Sequence, residues 1–437
     1  MSDAAAAPEA APGPAPAPSD DAPARPARRV ADPRTWPWWV QVLVVYGLAR
    51  VFSAVVFVRV ATHQVANGWT GDDPSYADYV GRMFDATWYL HIAEHGYPHV
   101  LPLGQDGAVQ QNAWAFYPLF PLVLRGLMAV TGLSWTLLAP TLSLLLGAGA
   151  VLVIHRLVAR GGYRATALVP GLPLATVLLV SVFPSSPVLQ TAYTEALALL
   201  LIASALYLLA VRRYFWAVPV VVLLGFTRAV ALPMACVVVW HVLWRAWGAW
   251  GPAARRDPER AARDRFSARD GAGLGTLLGA CLVAGVAWQL IAGWATGRSD
   301  AYFATQASWR SGSVQYFTPW VTNAKVLFHD RGPLVLAVVL VVLALLVLSP
   351  VAFRLGPELQ GWAIAYTAYL VLVTDPWTST WRFALLAFPY LAILVGWARR
   401  RWVFAVALTV LVVLSLWGQV DWVWELWRFR PPADWAP

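Results

Sequence analysis

Apolar positions in this chain fall in long unbroken runs, not in the two-residue alternation of strands or the narrow stripe of soluble helices. Many runs approach or exceed the ~20 residues a helix needs to cross a bilayer core. The pattern predicts about eleven spans. They cover 38–61, 135–155, 167–183, 191–210, 215–227, 229–246, 272–294, 333–350, 359–373, 383–398 and 402–419. Two long polar segments, 62–134 and 295–332, and an Arg-rich loop, 248–271, interrupt them. The chain reads as an all-α polytopic membrane protein: a transmembrane domain over 36–420, its long first loop carrying surface helices, then a Trp-rich tail over 421–437.

Residues 1–35 are rich in Ala and Pro with scattered Asp and Arg. Such a composition buries too little apolar surface to fold, so the segment is expected to be a disordered tail. Arg25, Arg28, Arg29 and Arg34 precede the first span, which places the tail in the cytoplasm and the span as retained rather than cleaved. From there the path sets Arg156, Arg212, Arg213, the 248–271 loop, Arg354 and Arg399–Arg401 inside. Segments 62–134 and 295–332 and the final tail lie outside. Arg310, Arg382, Arg428 and Arg430 are outer exceptions to the positive-inside rule and invite a functional reading.

Composition agrees with a membrane chain: 59% hydrophobic and 13% charged residues, against roughly 25% charged in soluble domains. The net charge of +9 comes from arginines near helix ends, which set topology and meet headgroups; it is no nucleic-acid signal. Most of the 26 tryptophans sit near expected interfaces, as an anchoring belt does. Cys236 and Cys281 fall inside apolar runs and read as packing residues.

Polar chemistry concentrates in Phe84–Tyr97. Trp88, Tyr89, Ile92 and Tyr97 recur at roughly helical spacing, as in an amphipathic helix on the membrane surface. Asp85 then lies at its N-terminus, either as a helix cap or as a general base for an acceptor hydroxyl. Glu94, His91 and His95 would orient substrate, tune Asp85 or face solvent. Pro118 and Pro121 are expected to interrupt regular helix. Phe183-Pro184-Ser185 forms an outer turn followed by Tyr193 and Glu195, the latter opening an apolar run, either facing a cavity or complementing a helix dipole. Arg310 and Arg382 would face the same side as Asp85, and guanidinium suits phosphate through paired donors. There is no Walker loop, DxD or HExxH. Asp72-Asp73 could bind a divalent cation or be a solvated loop, and nothing requires a metal.

In order, these segments resemble the PIG-V-like branch of the GT-C glycosyltransferases, the polyprenyl-phosphate-sugar-dependent mannosyltransferases. The resemblance rests on Asp85, Trp88, Tyr89, Ile92, Ala93, Gly96 and Tyr97; on Pro118, Leu119, Pro121 and Leu122; and on Phe183, Pro184, Ser185, Tyr193 and Glu195. The segments ending in Arg310 and Arg382 look like the family's later outer motifs. Where the family has W-D-G, Phe84 and Ala86 flank Asp85.

The resemblance implies a GT-C fold and sugar transfer, mannose first among the sugars, at the outer face of the cell membrane. The donor would be a polyprenyl-phosphate sugar, and the acceptor a glycan, glycolipid or protein hydroxyl. Asp85 would be the base, Arg310 or Arg382 would meet the phosphate, and Trp88, Tyr89, Glu94, His95, Tyr97, Tyr193 and Glu195 would contact substrate. The competing reading is a transporter or flippase of lipid-linked sugars or small solutes. It calls for polar residues threading mid-span, where this chain is mostly Leu, Val and Ala. A scaffold without chemistry is the third.

Overall fold

The structure is a computed structural model that describes residues 32, 35–255, 257–310, 315–432 and 436–437. Arg25, Arg28, Arg29, Arg34 and nearly all of the expected N-terminal tail lie outside them. The chain divides into two units, Met1–Pro37 and Trp38–Pro437. Of the first, Thr35 is described donating from its hydroxyl to the Asp32 carbonyl at 2.7 Å.

The second unit is helical, with a single isolated bridge, Leu103 to Val109, among the described residues. Its first half runs α1 (Trp38–Ala61), α2 (Tyr76–Arg82), α3 (Asp85–His95), α4 (Leu119–Thr131), α5 (Trp135–Arg160), α6 (Tyr163–Leu168), α7 (Leu172–Val182), α8 (Glu195–Ala210), α9 (Tyr214–Gly225) and α10 (Ala231–Trp250). The second half runs α11 (Pro258–Asp264), α12 (Ala268–Thr296), α13 (Ala301–Ser308), α14 (Thr318–Phe328), α15 (Gly332–Val347), α16 (Pro350–Leu355), α17 (Pro357–Val373), α18 (Thr380–Leu385), α19 (Pro389–Gly396) and α20 (Arg401–Asp421), closed by a π turn, Trp422–Trp427.

Among the described residues six stretches are long and apolar enough to cross a membrane: α1, α5, α10, α12, the α14–α15 run and α20 with its π turn. The remaining expected spans are shorter helices. Expected span 167–183 is divided into α6 and α7, with Pro170 and Pro173 at the break, and 383–398 into α18 and α19 ahead of Pro389. Proline withholds a backbone donor and disfavours helix in the residue before it. Pro121 does the opposite of what its spacing predicts. It sits in the first turn of α4, where its missing N–H is no loss, and a 13-residue apolar helix follows.

α5 packs on α8 and α7, α9 on α12, and α10 on α17. α20 is the outlier: only 6% of its apolar window is buried, with Val413, Leu414 and Trp417 all more than half exposed. Apolar side chains exposed along a whole helix suit lipid, not water.

Two buried polar ties cross the helices. Arg50, midway along α1, is 4% exposed. Its guanidinium donates to the Ser181 carbonyl at 2.5 Å, to the Ser186 carbonyl, and to Ser186 Oγ at 2.9 Å. It thus supplies donors and positive charge where α7 ends and its carbonyls lack partners. At the other end of the bundle His241 Nδ1 lies 2.6 Å from Glu358 Oε1, and Nε2 lies 3.1 Å from the Tyr214 hydroxyl. Arg245 donates to that hydroxyl at 2.6 Å and reaches Asp270 at 3.2 Å, so α9, α10, α12 and α17 share one network.

Candidate active site

Asp85 is placed by a strained turn. Phe84, between α2 and α3, has φ +53°, a conformation unfavourable for a side chain with a Cβ. Its buried ring packs on Trp69 at 4.7 Å and Trp427 at 6.1 Å. The turn sets Asp85 as the first residue of α3, with its backbone N–H donating to the Tyr193 hydroxyl at 3.2 Å. Phe84, not Asp85, is the helix cap.

The Asp85 carboxylate faces Arg382, with Oδ2 and Nη2 2.6 Å apart. Arg382, on α18, also reaches Glu195 Oε1 at 3.3 Å and donates to Ser379 Oγ at 3.1 Å. Its guanidinium carbon lies 5.1 Å from the ring centres of both Tyr193 and Phe383. Glu195 opens α8, fully buried, and the same Oε1 takes Arg228 Nη1 at 2.7 Å. Arg228 comes from the turn between α9 and α10 and also donates to Thr194 Oγ1 at 3.1 Å; that hydroxyl is 3.3 Å from the Tyr89 hydroxyl.

Two carboxylates and two guanidiniums thus form one charge-balanced chain. Balance is what a buried site demands, because an unpaired charge away from water is costly. Both acids sit in first helical turns, where exposed N–H groups favour negative charge. Glu195 Oε2 and Arg382 Nε are buried without a partner among the described residues, leaving one acceptor and one donor in hand. Burial pushes the Tyr89 and Tyr193 phenols above the ordinary range, with Asp85 and Glu195 adding to the effect.

The end of the chain closes one side. Trp427 packs on Tyr193 at 5.3 Å. The Gln64 side-chain amide pairs with both backbone groups of Phe429, at 3.2 and 3.0 Å. The Ala436 carbonyl accepts from Thr378 at 2.6 Å and Ser379 at 3.2 Å.

Asp85, Tyr89, Tyr193, Glu195 and Arg382 are therefore brought together. The other residues singled out in the sequence are not. Trp88 stacks on Phe116 at 5.7 Å and meets Trp309 edge-on at 5.4 Å. Tyr97 donates to the Phe116 carbonyl at 3.0 Å, its ring wedged between Trp114 and Trp288, as a prop for the loop. Glu94 and His95 point outward, with side chains 48% and 65% exposed, and touch none of the cluster. Arg310 lies 3.7 Å from Asp375 and joins neither acid of the cluster. Asp72 accepts from the Ala66 N–H at 2.5 Å, which makes it a loop cap. No group of three or more His, Cys, Asp or Glu suited to a metal occurs among the described residues.

Arg228 and Thr194 are the members the sequence reading missed. The available signal was an arginine between two apolar runs, on the side expected to hold Glu195. No family model matches the chain, and no curated protein matches it.

Proposed function

We propose that the chain is an integral membrane glycosyltransferase that moves a sugar, mannose first among the choices, from a polyprenyl-phosphate donor to an acceptor hydroxyl at the outer membrane face. The observation that carries this reading is the buried contact between Asp85 and Arg382. It sets a carboxylate able to take a proton beside a guanidinium matched to phosphate. The order of motifs around both residues supports it independently.

In the proposed reaction the acceptor oxygen bonds to the anomeric carbon as the bond from that carbon to the phosphate oxygen breaks. The acceptor proton passes to Asp85, and the lipid phosphate leaves as a monoester. One displacement inverts the anomeric carbon. A phosphate leaving group needs little protonation, so no second carboxylate acid is called for, unlike glycoside hydrolysis. Arg382 would stabilise the charge gathering on the phosphate, as a cation already in position does.

The cluster favours a donor with one negative charge. Arg228 is already neutralised by Glu195, leaving Arg382 shared between Asp85 and an incoming anion. Base and cation touch at rest, so the donor must part them, with Arg382 exchanging a carboxylate oxygen for a phosphate oxygen. Tyr193 and Glu195 hold the two sides of Arg382 during that exchange.

The test is transfer from polyprenyl-phosphate mannose, radiolabelled in the sugar, to a membrane extract by purified wild type and Asp85→Asn. The expected result is transfer by wild type and a fall of at least about 100-fold in the variant. Equal transfer by both would keep the class and remove Asp85 as base. No transfer from any polyprenyl-phosphate sugar, with movement of such lipids across vesicles instead, would replace the enzyme by a flippase.

A further inference from the structure

A second site lies at the opposite end of the bundle. α10 starts beside Arg228, and Trp244 lies 13 residues further on, roughly 20 Å away along the helix. Here a cavity of about 840 Å3 opens between the C-terminal half of α10 and the short helices α6 and α16. Its walls are apolar: Trp240, Trp244, Leu348 and Phe353, with the Trp244 and Phe353 rings stacked at 5.8 Å. Arg164 and Arg354 also line it, from α6 and α16, which pack on each other. Among the described lining residues Asp257 is the one acid, beside the two guanidiniums of Arg164 and Arg354.

The two arginines differ in commitment. Arg164 donates to the hydroxyl of its neighbour Tyr163 at 3.0 Å and lies over that ring. Arg354 is half-buried and has no hydrogen-bond or ion-pair partner among the described residues. Water alone would leave the tryptophan and leucine walls unfavourably exposed, with Leu348 at 63%. An occupant that fits both features has an apolar chain for the walls and an anionic head for the arginines.

We propose that this cavity is a specific site for one anionic phospholipid of the bilayer. The phosphate would lie at Arg354 and Arg164, and an acyl chain along Trp240, Trp244 and Phe353. Headgroup-depth tryptophan with arginine at an apolar surface is the arrangement that holds such an amphiphile. The site is separate from the Asp85 cluster and does not depend on what that cluster does.

The test is native mass spectrometry of the purified chain titrated with phosphatidylglycerol, phosphatidylcholine or polyprenyl phosphate. The expected result is saturable binding of one phosphatidylglycerol, tighter than either other lipid. Arg354→Gln and Arg164→Gln should each weaken it roughly fivefold. Arg399→Gln, at a basic position outside the cavity, should leave it unchanged, and Trp244→Ala should weaken all three lipids alike. Equal affinity for phosphatidylcholine, tighter binding of polyprenyl phosphate, or insensitivity to both arginine substitutions would each overturn the proposal. Arg164 is exposed, so its single variant tests the charge without disturbing the core.

Discussion

Arg382 holds the Asp85 carboxylate at 2.6 Å, and the same guanidinium reaches Glu195 with its other terminal nitrogen. One planar cation bridges the first residues of two helices distant in sequence. Lysine, a point charge, cannot make that bridge. Arg382→Leu should destabilise the fold by about 3–5 kcal/mol, because it strands the buried Asp85 carboxylate and leaves Glu195 to Arg228 alone. Arg382→Lys should cost less, and Asp85→Asn with Arg382→Gln should recover part of the loss without restoring transfer. Thermal unfolding in detergent beside the transfer assay checks all three.

The two acids should rank differently. Glu195 is fully buried and serves two arginines, whereas Asp85 is 7% exposed and serves one. Glu195→Gln is therefore expected to lower stability more than Asp85→Asn. Asp85→Asn should lower transfer at least as much. The opposite order in unfolding temperature would mean that Arg228 does not need Glu195.

Tyr193 and Tyr89 give the protein an alkaline limit. Burial raises both phenols above the ordinary value of about 10. Between that value and the raised one the unfolded chain loses the proton and the folded chain keeps it. Stability is then fully present below about pH 10 and falls as pH rises. Tyr193→Phe should flatten that fall, seen as a smaller drop in unfolding temperature between neutral and strongly alkaline buffer.

Glu94 and His95 should prove dispensable. Both side chains are largely exposed and remote from the cluster. Glu94→Ala and His95→Ala are expected to stay within about 0.5 kcal/mol of wild-type stability. Transfer should also stay near the wild-type rate, and a large loss from either would move the substrate path onto the outer side of α3.

Arg50, which reaches from α1 to the end of α7, carries a structural prediction. Arg50→Leu removes the guanidinium donors of the Ser181 and Ser186 carbonyls; Ser181 keeps the Ser186 hydroxyl at 2.7 Å, so the cost is about 1–3 kcal/mol in all. Yield and unfolding temperature should both fall. Arg50→Lys should rescue only in part, since its single nitrogen cannot replace two separated donor groups.

How much of this was readable follows the dimension of each signal. The length of an apolar run is one-dimensional, and the first span, 38–61, coincides with α1. Breaks at Pro170, Pro173 and Pro389 depend on local geometry that the same count overlooks, and α4 is masked in the sequence because a proline pair such as Pro118 and Pro121 ordinarily signals a helix break. Asp85, Glu195 and Arg382 stood out as charges beside apolar runs, but which charge meets which is a matter of packing. Arg228 is legible as the arginine of an outer turn, between the spans 215–227 and 229–246, but nothing in the sequence gives it a partner, and Arg50 is lost in the middle of a hydrophobic stretch. The exclusion of Glu94 was within reach: nine residues at 100° each put it half a turn from Asp85.

The chain order of the charged cluster has a consequence for how the protein is made. Both acids precede their bases: Arg228 follows Glu195 by 33 residues, and Arg382 follows it by 187. A ribosome delivers the N-terminal partner first. Glu195 must therefore await Arg228 before its helix can settle without a stranded charge. Asp85 must wait longer still, for α18. Until then α3 has no cation to anchor its first turn, so premature sealing of the helices around a half-built centre is disfavoured, and biogenesis acquires a late electrostatic checkpoint.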